Sequence, residues 1–442
     1  MTQGTASSAD LSDRAHRLAW EGTPQEICNE LGGFAASHVT ARREVLDLIA
    51  GHNLQSPAAR SIQARIADMT QSGNVGARLN SGTQWIDNIE IVATELAKRL
   101  FRAKYAELRP MTGSLANAVV ILGLLRPGQR VMVSEGRHGG HKTYLRDGYA
   151  RHMALDYVPV PHDEIDGEGE VNLPKTIDGI IKHRPEWIFL GSSRVLFAEP
   201  LRELQAAAQS VGARILYDAA HTLGLIAGGR FKDPMTDGVA VMTGSAQKTL
   251  GGPVGGLVLS NDPELARVIA STSDALLSNY SNYRLGALAV TLAETLQFGE
   301  AYAKDVVANA RALGDALCSN GVNVVRGDRG HTLSHMILVD LKTEVAAKQS
   351  MSELERAGIA STRLAISNNY PAMTALRLGT SVVTRLGMGI DEMKMAARLI
   401  RRVLVDRERP EAVRRDVLEL VAGFHEVSYC FSDQLSVGKV VQ

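Results

Sequence analysis

The sequence predicts an α/β protein with a large domain on a mainly parallel sheet and a smaller C-terminal α/β domain. From residue 83 onward, apolar helical segments alternate with short β-branched runs, the pattern of strands joined by covering helices. A long helical stretch at 283–319 separates this series from a second, shorter one. The 442 residues, 45% apolar and 22% charged, are enough for more than one ordinary core.

In chain order, residues 1–50 are expected to form an N-terminal helical arm. Residues 1–10 are polar and lack the apolar run of a signal peptide. From 11 to about 50, charged residues recur on one helical face and Leu, Ile, Val and Phe on the other. Residues 51–300 form the expected large domain. Its segment 69–82, MTQSGNVGARLNSG, is polar and glycine-rich, which is loop chemistry. Strands are expected at 130–134, 187–190, 214–217, 238–243 and 256–259. The most apolar stretch, 115–125, is about half the length of a membrane span and reads as a buried helix. Residues 301–442 form the expected small domain, with strands at 335–340 and 376–379 and helices at 346–357 and 390–404.

Composition narrows the function classes. Lys+Arg and Asp+Glu both number 48 and no basic tract stands out, so a nucleic-acid partner has no electrostatic support. No membrane association is expected. Cys28, Cys318 and Cys430 are scattered, fit neither a disulfide framework nor a metal knuckle, and suit a reducing cytoplasm.

The candidate chemistry gathers at strand ends. Asp218 and His221 follow the strand RILY, and Lys248 follows GVAVMT roughly 30 residues later, a separation suited to one further α/β excursion. Ligands of open α/β sheets bind at the carboxyl ends of strands, so these side chains are expected to meet. A lysine there can form an imine with a carbonyl cofactor, and a carboxylate can keep a pyridine nitrogen protonated. Each residue alone has a plainer reading: a strand-end Asp caps a helix and a lone Lys is solvated. Lys248, however, sits in SAQKTLGGPVGG, where glycines admit a close backbone approach.

Thr112, Gly113 and Ser114 stand directly before the apolar run LANAVVILGLL. Hydroxyls, a glycine and free N–H groups at a helix N-terminus make an anion site; the plainer reading is an N-cap. In His138-Gly139-Gly140-His141, an imidazole stacked on a flat ring is the better reading, and no metal is expected. Arg377, in ALRLGT, could face the crevice and bind an α-carboxylate with two hydrogen bonds.

With these residues in place, the chain resembles serine hydroxymethyltransferase and its relatives. These are pyridoxal-phosphate enzymes of the aspartate-aminotransferase-like fold, type I. The blocks that carry the resemblance are LIAGHNLQSP, RPMTGSLAN, HGGH, YDAAHTLGL, QKTLGGPVGG and ALRLGTSVVTRLGM. The resemblance implies that Lys248 holds pyridoxal 5'-phosphate as a Schiff base and that Asp218 pairs with its pyridine nitrogen. It implies that His221 lies near the phenolic oxygen and His141 stacks on the ring. Thr112, Gly113 and Ser114 would bind phosphate, with Ser193 or Ser245, and Arg377 would take the substrate carboxylate. A homodimer or dimer of dimers is implied.

The departures from the family also point somewhere. Where the family carries a Tyr/Glu-rich loop, this chain has QSGNVGARLNSG, and the Ser-Glu-Asn motif has become Gly51-His52-Asn53. Gln247 replaces the histidine before the lysine, and Ser361-Thr362-Arg363-Leu364 replaces the Asn-Lys-Asn segment facing the folate. GSSRVLFAEPLREL, GIASTRLAI, LQFGEAYAKDVVANARAL and SYCFSD look instead like the folate-independent L-threonine transaldolase branch. The expected activity is therefore aldol-type chemistry at the Cα–Cβ bond of a β-hydroxy amino acid, with an aldehyde as partner. His52 is the expected replacement proton shuttle, against a plainer capping or packing role. Folate-dependent hydroxymethyl transfer, another pyridoxal-phosphate reaction such as transamination, and a non-catalytic paralogue are the alternatives.

Overall fold

The computed structural model describes residues 8–67, 71–165, 168–364 and 375–431. The central sheet has seven strands: β1 (Tyr105–Glu107), β2 (Arg130–Val133), β3 (Asp156–Pro159), β4 (Trp187–Leu190), β5 (Arg214–Asp218), β6 (Val241–Ser245) and β7 (Gly256–Ser260). Their order is β1-β7-β6-β5-β4-β2-β3. Neighbours from β6 to β3 run parallel, and the two antiparallel pairs are those that β7 makes with β6 and β1. Every residue of β4, β6 and β7 is buried, as expected of strands covered on both faces. The order reverses between β4 and β2, and the chain segments leaving β4, β5 and β6 open at the same sheet edge.

Strand β6 starts at Val241, later than the expected 238, because residues 234–239 close a turn. Val239 N–H donates to the Pro234 carbonyl at 3.1 Å, and Gly238 has φ 88°, a conformation glycine adopts without strain.

The segment expected as a loop contains a hairpin. Gln71–Asn74 pairs with Ala77–Arg78 and, on its other side, with Asn279–Tyr280. Local chemistry supplies the turn, and distant groups fix the pairing. Arg78 donates to Asp87 at 2.7 Å and to Tyr280 Oη at 2.8 Å, and its guanidinium lies 2.8 Å from Glu90. None of those partners lies within 69–82, so the segment's composition alone could not show the strands.

The arm consists of helices Ser8–Glu21 and Pro24–Arg43. The second starts with a capping box made by Thr23 and Glu26 and buries no residue within this chain. Leu46–Asp47 then pairs with Ile359–Ala360, and Leu46 and Leu48 join the small domain's apolar core. The arm therefore ends before residue 46, since these leucines are buried among C-terminal residues.

Helix Tyr283–Ser319 has the limits the sequence predicts. Leu285, Leu288 and Leu292 pack into the large-domain core, while Leu313 and Leu317 pack into the small-domain core. The expected boundary at 300 thus falls inside one continuous element. The small domain carries the antiparallel sheet Met336–Asp340, Ala375–Gly379 and Thr362–Arg363, covered by helices that include Ile390–Leu404. Among the described residues, no helix is long and apolar enough to cross a membrane.

Candidate active site

Three strand ends and one small-domain strand build the site. Asp218 closes β5, Lys248 follows β6, and Ser193 follows β4. Lys248 Nζ lies 3.0 Å from His221 Nε2. Burial pushes the Lys248 ammonium down to about 8; Asp218 opposes that shift and Arg377 adds to it. His221 is held well below the usual histidine range, first by burial and then by the Lys248 and Arg377 charges. Its ring stacks on His335 with centroids 5.8 Å apart, and His335 Nε2 lies 3.1 Å from the Ala50 carbonyl. That carbonyl can only accept, so the His335 proton sits on Nε2. Burial and Arg377 push His335 down to about 3. Both imidazoles are neutral at neutral pH.

The cap reading of Asp218 does not hold, because Thr222 is the N-cap residue of the following helix, Leu223–Ala227. Asp218 Oδ2 accepts from Asn117 Nδ2 at 2.8 Å, and Oδ1 accepts from Ala220 N–H at 3.0 Å. Asn117 also donates to Thr143 Oγ1 at 3.0 Å and accepts from Thr243 Oγ1 at 2.7 Å. Thr143 Oγ1 lies 2.9 Å from His141 Nδ1. One amide thereby orients the carboxylate and reaches the His141 ring through one hydroxyl. Sequence reasoning missed Asn117. Its signal was an amide inside LANAVVILGLL, since a buried polar group in an apolar helix needs partners.

Thr112 caps helix Gly113–Leu124, its Oγ1 accepting from Leu115 N–H at 3.1 Å. The cap reading is what the geometry shows. A methyl group at Gly113 would overlap the Ser245 hydroxyl, so the glycine lets Ser245 approach the helix N-terminus, where Ser114 also stands. Another glycine secures the loop: a methyl group at Gly256 would overlap the Thr112 carbonyl.

Arg377 lies on strand Ala375–Gly379, and its Nη1 donates to the Ser193 carbonyl at 2.5 Å. Its Nε has no hydrogen-bond partner among the described residues, and burial pushes the guanidinium down to about 10. The Ser193 hydroxyl donates to the Gly139 carbonyl at 3.2 Å. Ser193 thus ties the HGGH turn to Arg377. Within that turn His138 stacks on His162 at 4.1 Å while His141 faces Thr143, so the two imidazoles have different partners.

Within this chain His52 meets Asp47. Its Nδ1 lies 3.1 Å from Asp47 Oδ2 and its side chain is 47% exposed. Asp47 also pairs with Arg42 and accepts from Ile49 N–H. In Gly51-His52-Asn53 it is Asn53 that reaches the lysine segment, donating to the Lys248 carbonyl at 2.8 Å. The contact with Asp47 is consistent with the plainer packing role, beside the expected proton-shuttle role.

A sequence model of the serine hydroxymethyltransferase family matches residues 29–400. The chain belongs to the serine hydroxymethyltransferase family. Among its relatives, serine hydroxymethyltransferase of Pyrococcus furiosus is 35% identical over 92% of this chain and 98% of its own. That of Korarchaeum cryptofilum is 39% identical over 88% and 93%. The fold matches the crystal structure of an L-threonine transaldolase from Pseudomonas fluorescens with a TM-score of 0.84, at 23% identity, covering 98% of this chain and 97% of that one. As a member of this family the chain is a pyridoxal-phosphate enzyme of fold type I. Its own residues fit the cofactor: a buried lysine amine, an oriented carboxylate, and a helix N-terminus cleared by Gly113 beside Ser245.

Proposed function

We propose that this family member makes or cleaves the Cα–Cβ bond of a β-hydroxy amino acid without folate, as an aldolase or transaldolase. One observation carries the reading. Lys248 lies close enough to Asp218 and Arg377 for both charges to act on its amine, while the glycine-containing hairpin Gln71–Asn74 and Ala77–Arg78 occupies the segment where the family carries its Tyr and Glu side chains. The resemblance of GSSRVLFAEPLREL and GIASTRLAI to threonine transaldolases supports the same choice.

Arg377 binds the α-carboxylate, for which its unpartnered Nε is free. Bound pyridoxal phosphate supplies a ring, protonated opposite Asp218, that withdraws electrons from Cα. Lys248 Nζ holds the cofactor, and its lowered proton affinity keeps part of it neutral near pH 8. The His221 ring, kept neutral by burial, has Nε2 placed to orient the amine through a hydrogen bond with Nζ. In the cleavage direction the β-hydroxyl loses its proton, the Cα–Cβ bond breaks and an aldehyde leaves. Cα then accepts a proton or a second aldehyde. The working assembly is a homodimer or a dimer of dimers, and a light-scattering mass of one chain would overturn that.

A second reading, serine hydroxymethyltransferase proper, is favoured by the 35% identity over 92% of the chain. One experiment separates the two. The loaded protein is titrated with glycine, alanine, serine and threonine without folate while the visible spectrum and released aldehyde are followed. The proposal expects a new long-wavelength band with at least one of them and folate-free aldehyde release from a β-hydroxy amino acid. Glycine formed from serine only after tetrahydrofolate is added would establish the second reading instead.

A further inference from the structure

Behind the lysine, on small-domain helix Ser381–Arg385 and the long helix Tyr283–Ser319, the chain returns as a short strap at residues 428–431. Ser428 N–H donates to the Arg385 carbonyl at 2.7 Å, and Arg385 Nη1 donates to the Tyr429 carbonyl at 2.9 Å. Tyr429 Oη donates to Asp305 Oδ2 on the long helix at 2.7 Å, and its ring meets Tyr302 with centroids 5.2 Å apart. Phe431 packs on Phe298 at 5.4 Å, and its N–H donates to Glu294 at 3.2 Å.

Two features mark this as a constrained element. Tyr429 has φ 56°, a left-handed conformation unfavourable for a bulky residue that persists only where its surroundings fix it. Beneath it Arg385 and Glu294, both almost fully buried, lie 3.6 Å apart, a pair that needs cover from water and further hydrogen bonds. The strap gives both.

The contacts continue to the site on two routes. Tyr302 Oη donates to the Ser381 carbonyl at 3.0 Å and accepts from Asn53 Nδ2 at 2.9 Å, and the same Asn53 amide donates to the Lys248 carbonyl. Helix Ser381–Arg385 directly follows strand Ala375–Gly379, which carries Arg377.

We propose that Tyr429 is a positioning residue: the strap fixes helix Ser381–Arg385 against the long helix and so sets where Arg377 stands relative to Lys248. The inference rests on the carboxylate role given to Arg377 above.

The test uses the pyridoxal-phosphate-loaded full chain and glycine as probe, reading the glycine concentration that gives half the visible spectral change. Tyr429→Gly removes the ring and hydroxyl and suits the backbone conformation. It is expected to raise that concentration about tenfold without changing cofactor stoichiometry or the starting spectrum. Tyr429→Phe, which keeps the ring and carbonyl, should stay close to the parent. Placed on Arg377→Lys, Tyr429→Gly should add little, because both changes act on one contact.

Unchanged glycine affinity in Tyr429→Gly, or an effect adding in full to that of Arg377→Lys, overturns the proposal. If Arg377→Lys alone binds glycine like the parent, the carboxylate assignment itself fails, and the strap's action through it fails too. Should Tyr429→Gly not fold, Tyr429→Asn, which also removes the ring and tolerates the left-handed backbone, must shift glycine binding in the same direction.

Discussion

Burial keeps the His335 imidazole neutral through the physiological range, and that has a consequence at acid pH. Its ordinary value is 6.5 and the folded protein lowers it to about 3. Below 6.5 the unfolded chain takes up a proton that the folded chain refuses, so the unfolded state binds more protons. Stability therefore falls as pH drops from 6.5 towards 3, and is untouched by this group above 6.5. Within the window the loss approaches about 1.4 kcal/mol per pH unit. His335→Gln keeps an N–H that can reach the Ala50 carbonyl and does not titrate. Apoprotein melting temperatures measured from pH 7 to pH 4 should fall less steeply in His335→Gln than in the parent. Parallel curves would show that the acid loss comes from other groups. The same residue bears on chemistry, since its ring backs His221, whose Nε2 meets Lys248 Nζ.

At the scale of elements, the helix N-terminus at Gly113 and the end of β6 at Ser245 form one unit, because the glycine leaves no room between them. Gly113→Ala inserts a methyl group where the Ser245 hydroxyl stands, an overpacking cost of about 1–3 kcal/mol. We expect weaker pyridoxal-phosphate retention, measured by absorbance titration of the apoprotein. Partial recovery is expected in Gly113→Ala/Ser245→Ala, which frees the space. Equal retention in Gly113→Ala and the parent would remove this junction from the phosphate site. Much of this geometry was legible in the chain. Glycine and hydroxyls before an apolar run announced the helix N-terminus, and RILYD and GVAVMT announced strands whose ends carry Asp218 and Lys248. What stayed hidden depends on partners far away in sequence. Asn117 matters because Asp218, Thr143 and Thr243 converge on it, and the hairpin beginning at Gln71 exists because Arg78 reaches Tyr280 and Glu90. The contact of His52 with Asp47 was hidden for the same reason, since that carboxylate gains importance only once the fold buries it.

The whole molecule is joined by the helix Tyr283–Ser319. Its first turns belong to the core beneath the seven-stranded sheet and its last turns to the core of the small domain, so each domain's packing stabilises the element the other needs. Lys248 is on one side of this arrangement and Arg377 on the other. One helix packed into both cores holds the Lys248 amine and the Arg377 guanidinium at a fixed spacing, which a flexible linker would not do. The apoprotein should therefore melt in a single transition by calorimetry. Ala301→Pro tests the coupling, because Ala301 is exposed and lies between the two sets of core contacts. Proline there removes a helical hydrogen bond and clashes with the preceding turn, at a cost of about 3 kcal/mol without opening either core. The expected result is a lower, broadened or divided transition, with glycine affinity reduced more than cofactor affinity. Two well-separated transitions already present in the parent would show that the domains unfold independently. The helix would then be only a connector, and the spacing between Lys248 and Arg377 would have to be held by the direct contacts of Ser193 and Asn53 alone.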